Sequence, residues 1–306
     1  MTGKAHIEAP AMTDNAQIID RALGRIVAGY VYPQRAEEVD RAIRARLATG
    51  AYNALGGAAL CEAVTAHLQE VCPDRHLRLL WQDEPRSTEP EDDDAGRAFL
   101  ALLREQNQGI RRVEQFDGNI GCLDIRWIAD AGEGARAIGA AMELVADTRA
   151  LILDLRECRG GSPAGAAMWC SYFFPDDQVH LNDFYHRATD STRQFWTLSQ
   201  LPAPRYLGRP VYVLTSATTF SGGEDVAYTL QALGRAELVG ETTGGGAHPT
   251  ERHPVTAHIT VTVPTARTIN AVTGTNWEGV GVRPDRAVAA DKALETAYQE
   301  AIRRLA

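Results

Sequence analysis

Residues 150–174 read ALILDLRECRGGSPAGAAMWCSYFF and residues 210–233 read PVYVLTSATTFSGGEDVAYTLQAL. Each stretch opens on an unbroken apolar run (Leu151-Ile152-Leu153, then Val211 to Leu214), passes through a Gly-Gly turn, and continues as an apolar helical pattern. A strand apolar on both sides belongs in a parallel sheet covered on both faces. Strand, turn and helix twice in succession indicate βαβ units and an α/β domain.

Working outward, strands are expected at Gly121–Trp127 and Glu237–Gly240, helices at Glu133–Ala146 and 291–305, and hairpin character over the Thr/Val/Ile-rich residues 253–270. Residues 15 to about 72 read as three amphipathic helices. Val39, Ile43 and Leu47 recur at four-residue spacing before Gly50, a C-cap signal, and Leu60, Val64 and Leu68 repeat the rhythm. His76–Trp81 alternates as a short strand with His76 and Arg78 on its polar face. The expected organisation is a helical N-terminal domain over 1–83, an acidic linker or loop over 84–98, and an α/β core over 99–306.

The 306 residues carry 31 Lys+Arg against 40 Asp+Glu, a formal charge of −9. An acidic chain with no basic run is not built for nucleic acid or an anionic membrane. The first twenty residues hold no apolar signal core, and Cys61, Cys72, Cys122, Cys158 and Cys170 form no C-x-x-C pair, so a cytoplasmic chain with free thiols is expected. P-loop, G-x-G-x-x-G and H-E-x-x-H signatures are missing; neither a cofactor nor a metal is expected.

Ser221 stands where the VYVLT strand has ended and a helix begins, so its hydroxyl faces the free N–H groups of a helix N-terminus. That position suits a nucleophile whose reaction creates an oxyanion. The same Ser221-Gly222-Gly223-Glu224 is also a capping box, in which the serine satisfies the helix end. A serine nucleophile needs a base, usually histidine or lysine. The only lysines are Lys4 and Lys292, at the two ends of the chain, which leaves histidines such as His76 and His248. Glu278, among glycine and apolar residues, is placed to orient an imidazole or to sit as a solvated loop acid. The turn at Gly160-Gly161 either presents N–H groups to developing charge or merely connects a strand to a helix. Aromatic residues gather between Trp169 and Trp196, as core or as a ligand groove.

The order of these motifs resembles peptidase family S41, the C-terminal-processing serine peptidases, and within it the branch of the interphotoreceptor retinoid-binding protein modules and tricorn-like members. The matching segments are Tyr30-Val31-Tyr32-Pro33, Asp74-Arg75-His76-Leu77, Leu151 to Arg156 with Gly160-Gly161-Ser162-Pro163, Thr218 to Glu224, Val239 to Pro249, and Asn276 to Val282. The resemblance implies a crotonase/ClpP-like α/β core behind a small helical N-terminal domain, here without a PDZ segment. It implies Ser221 as nucleophile, His76 as base and Glu278 as its orienting acid, since the family's usual lysine has no counterpart in this chain. Backbone N–H groups of Gly222 with Gly160 or Gly161 are the expected oxyanion hole, and His248, Trp169 and Trp196 the expected substrate contacts. The function so implied is hydrolysis of a short peptide or small acyl or amide substrate. Two alternatives are a non-hydrolytic module for an apolar small ligand, as in the retinoid-binding relatives, and a biosynthetic enzyme that uses the pocket for a non-peptide intermediate.

Overall fold

A computed structural model describes residues 15–86, 94–175 and 178–306. Part of the expected acidic linker, residues 87–93, lies outside the described residues. The described chain forms helices α1 (Asn15–Gly29), α2 (Pro33–Ala48) and α3 (Gly57–Val71), strand β1 (Arg78–Trp81), and helix α4 (Asp94–Glu105). There follow β2 (Ile110–Phe116), β3 (Ile120–Ile125), α5 (Ala131–Leu144), β4 (Ala150–Asp154), α6 (Pro163–Ser171), β5 (His180–His186) and β6 (Ser191–Trp196). The remainder is β7 (Val211–Thr215), α7 (Gly222–Ala232), β8 (Glu237–Gly240), β9 (Thr250–Pro254), β10 (Ile259–Pro264), β11 (Ala266–Asn270), β12 (Arg286–Ala287) and α8 (Ala290–Leu305).

These elements divide into two compact units that are not consecutive stretches of chain. The first holds α1 to α3 and takes residues 251–263 from far along the sequence. Its small sheet has the order β1-β10-β9, with Arg78 opposite Thr262. Ile19, Leu23, Ile43, Leu60 and Leu68, the apolar stripes of the three helices, share one core with Val261 and Val263. The sheet supplies the surface that such amphipathic helices require.

The second unit comprises residues 74–76, 90–250 and 264–306. Its main sheet has the order β12-β8-β7-β4-β3-β2, parallel throughout except for the antiparallel edge strand β2. The βαβ reading is thus correct. The unbroken apolar strands are explained by their neighbours: Leu151, Leu153 and Val213 belong to a core shared with α5, α6 and α7, while Ile152, Tyr212 and Leu214 belong to a core shared with α8. A separate antiparallel sheet, β11-β5-β6, takes the third part of the expected hairpin region. Among the described residues the chain runs from α4 into β2 with no PDZ-like unit.

One local expectation is corrected. His76 is not on the polar face of a strand: β1 begins at Arg78, and His76 is buried in the preceding turn as part of the second unit. The cause is Asp74, whose Oδ1 accepts the His76 N–H at 3.0 Å and draws that donor out of any ladder.

Candidate active site

At the carboxyl end of β7 the chain turns through Ser216–Phe220 before α7. The turn is pinned to the one following β4. Thr219 Oγ1 donates to the Leu155 carbonyl at 2.8 Å, and Phe220 N–H donates to that of Cys158 at 2.9 Å. Ser221 is thereby held at φ 51°, ψ −119°, a conformation that side chains avoid. An ordinary N-cap serine sits in the extended region instead. The capping box is present as well, with Glu224 Oε2 accepting the Ser221 N–H at 2.8 Å.

The Gly-Gly turn reaches Ser221 from the other side. Gly161 has φ 144°, and a Cβ there would lie 2.0 Å from the Ile128 carbonyl oxygen, so only glycine can follow this path. Gly160 N–H is spent on Cys158 Sγ, whose thiol burial pushes up to about 12. Gly161 N–H and Gly222 N–H have no acceptor among the described residues, and the two glycines touch: a Cβ on Gly222 would stand 3.0 Å from the Gly161 nitrogen. Of the three glycines expected to hold an oxyanion, these two have the donors to do it.

Both histidines singled out in the sequence meet Ser221 around one cavity of about 210 Å³, together with Gly161, Gly222 and Asp225. The His76 ring packs on Phe220, centroids 4.7 Å apart. Gly246 makes room for this pair, because a Cβ there would fall 2.3 Å from the Phe220 ring and 2.7 Å from His76 Cε1. His248 Nδ1 lies 2.7 Å from Asp74 Oδ2 and 3.5 Å from Glu278 Oε2. Glu278 Oε2 also accepts the Ala247 N–H at 2.6 Å. Asp74, which sequence reasoning left without a role, therefore holds His248 by its ring and His76 by its backbone N–H; the signal was its place two residues before His76.

These groups bias one another electrostatically. Burial raises the Asp74 carboxyl, but the hydrogen bond and charge of His248 and the charge of His76 outweigh it, and the net shift is downward. Burial, reinforced by the nearby Asp74 charge, pushes Glu278 up to about 7. Its folded pKa thus exceeds its unfolded value, so the stability it contributes is complete below about 4.5 and lost as pH rises to about 7. Between pH 5 and pH 8 the wild-type protein is expected to lose roughly 2–3 kcal/mol relative to Glu278→Gln, measured by urea unfolding at each pH. An equal change in both proteins would refute the assignment.

Asp74, His248 and Glu278 present donor atoms within 4.8 Å of one another, a grouping a cation can occupy. The 2.7 Å separation of Asp74 and His248 is closer than two ligands at about 2.0–2.1 Å can stand around tetrahedral zinc, so the pair is built as a hydrogen bond. The aromatic expectation fails in part. Trp169 is 1% exposed inside the α5–α7 core, and Trp196 is 43% exposed, stacked on His180; neither lines the cavity. Trp169 sits mid-helix on α6, which is buried all round, and Trp196 ends a strand whose other residues are mostly exposed. The aromatic walls come from Phe184 and Trp277.

The α/β core thus presents a strained serine at a helix N-terminus, beside two imidazoles and two N–H groups without an acceptor among the described residues. The model of peptidase family S41 matches residues 112–288, more than half the chain, and the protein belongs to that family. Its fold is also that of a Parabacteroides merdae protein assigned to the peptidases (17% identity, 95% of this chain and 97% of that one, TM-score 0.67). A lipoprotein from Streptococcus agalactiae (14%, 98% and 100%, 0.59) and a photosystem II D1 C-terminal processing protease (13%, 96% and 98%, 0.54) share it.

Proposed function

We propose that the protein is a serine-type hydrolase of short peptides or small acyl and amide substrates, with Ser221 as nucleophile. The observation that carries this reading is the Ser221 backbone, held in a costly conformation beside Gly161 and Gly222 N–H groups that have no acceptor among the described residues. Ser221 Oγ would add to a substrate carbonyl carbon placed there, the C=O π pair would move onto the carbonyl oxygen, and the two N–H donors would hold the oxyanion so formed. An imidazole would accept the hydroxyl proton and return it to the leaving group, and water would then release the acyl-enzyme by the reverse proton path. The apolar-ligand module is disfavoured: about 210 Å³ is below the ~300–1,000 Å³ of sites for drug-sized ligands, and Ser221, His76, His248 and Asp225 make the lining polar. All five cysteines are buried and none is in a disulfide, which supports the proposal of a cytoplasmic protein.

The resemblance gives the base to His76, whose ring lies against the residue preceding Ser221. A second reading has its own observation, since His248 is the ring whose Nδ1 meets carboxylates. On the first reading His76→Ala lowers kcat by about 10²–10⁴ and His248→Ala acts mainly on KM; on the second the two exchange effects. Fluorophosphonate labelling, located by mass spectrometry, tests the nucleophile itself. Stoichiometric labelling of any residue but Ser221, or none, would defeat the hydrolase reading.

A further inference from the structure

One buried acid of the cavity has no part in the proposed proton transfers. Asp225, in the first turn of α7, donates its N–H to the Ser221 carbonyl at 2.9 Å, is only 6% exposed, and lines the cavity. Its Oδ1 accepts from Asn182 Nδ2 at 2.6 Å and from Thr229 Oγ1 at 3.1 Å. Both bonds fall on the same oxygen, and Oδ2 has no partner among the described residues. The same cavity is walled by Phe184, Trp277 and Pro163. Among the described residues, the only other titratable side chains lining the cavity are His76 and His248.

We propose that Asp225 is a specificity-determining residue which selects substrates bearing a cationic side chain, lysine-like or arginine-like, on the residue that supplies the carbonyl to Ser221. The carboxylate oxygen that bonds to neither Asn182 nor Thr229 is left to the cavity, where a bound ammonium can give it a charge-assisted hydrogen bond. Aromatic walls in the same cavity favour a cation over water, because ring faces attract positive charge once it is desolvated. The reach is right for a side chain: Asp225 N–H donates to the Ser221 carbonyl at 2.9 Å, and both side chains line the one cavity. The size is right as well, since about 210 Å³ admits one side chain and little more. Burial pushes the Asp225 pKa up to about 7, in keeping with an acid that awaits a counter-charge. The purely structural alternative is that Asp225 only ties β5 to α7 through Asn182.

This inference rests on reading the cavity as the substrate site, and it is tested by binding as well as by turnover. Isothermal titration of N-acetyl-lysine amide and N-acetyl-norleucine amide into the purified full chain compares a cation with an apolar side chain of similar length. Lysine amide is expected to bind at least about tenfold more tightly. Asp225→Asn, which keeps an acceptor for Asn182 and Thr229, is expected to abolish that ratio, and Phe184→Leu to reduce it. Equal binding of the two amides by the wild type would overturn the proposal. So would an Asp225→Asn protein, checked for an unchanged melting temperature, that kept the lysine preference. A uniform loss for both amides in that variant with a lowered melting temperature would establish the structural alternative instead. Parallel assays with the corresponding methyl esters separate the two readings: lysine-selective binding without hydrolysis of either ester would sink the hydrolase and leave the cation site standing.

Discussion

Ser221→Gly is expected to abolish hydrolysis, by on the order of 10⁴–10⁶ in kcat, while leaving the protein about 1 kcal/mol more stable than wild type. The two effects have one cause. At φ 51°, ψ −119° Ser221 has the backbone of the first central residue of a type II′ turn, where glycine is the favoured residue. Removing the side chain relieves conformational strain worth about 1–3 kcal/mol. Glycine at an N-cap gives back only a few tenths, and its greater freedom in the unfolded chain costs about 0.5–1 kcal/mol. Ser221→Ala is expected to lose the same activity without the gain in stability, since alanine keeps the Cβ. Turnover and urea unfolding of both variants read the two effects separately. A protein in which Ser221 served only as a helix cap would behave the other way, keeping its turnover and losing stability in both.

The second large effect is on stability. Glu224 is fully buried, and its carboxylate accepts four hydrogen bonds: from Thr243 Oγ1 at 2.5 Å, Gly245 N–H at 2.7 Å, Gly246 N–H at 2.9 Å and Ser221 N–H at 2.8 Å. It thus links the helix that begins beside Ser221 to the glycine loop that carries His248. Burial raises its pKa, against the opposing pull of the Thr243 and backbone hydrogen bonds. Glu224→Ala leaves four buried donors without an acceptor, and a loss of roughly 3–5 kcal/mol in urea unfolding is expected. Fluorophosphonate labelling should fall with it, because Gly246 is also the residue that admits Phe220 and His76. Glu224→Gln, which retains an acceptor but turns an amide toward the remaining donors, should fall between. A loss below about 1 kcal/mol in Glu224→Ala would mean that the loop is held by other contacts.

Local spacing determined most of the elements. The apolar runs at 151–153 and 211–214 required a doubly covered sheet, the four-residue rhythm of 39–68 required helices, and Glu237–Gly240 emerged as a strand with the expected limits. Such signals are legible because helix and strand periodicities are set by residues a few positions apart. Helix α4 and strand β2 were not anticipated: α4 begins inside the expected acidic linker, and its Leu103 is buried only in the assembled fold. Ser221, Gly161 and Gly222 could be singled out for the same local reason, since a strand end, a glycine turn and a helix start are adjacent in the chain.

The partners of those residues were decided by tertiary structure alone. Asp74 and His248 are 174 positions apart, and Arg78 lies opposite Thr262 across 184 positions. Nothing in either segment specifies the other, because a 2.7 Å contact depends on how whole elements pack and not on the spacing within one of them. The same holds for burial: Trp169 and Trp196 look alike as sequence, yet one fills the core and the other faces solvent. Sequence determines which local structures are available and which side chains can do chemistry. Which of those side chains share a cavity follows from the burial of apolar faces against one another, a property of the assembled fold.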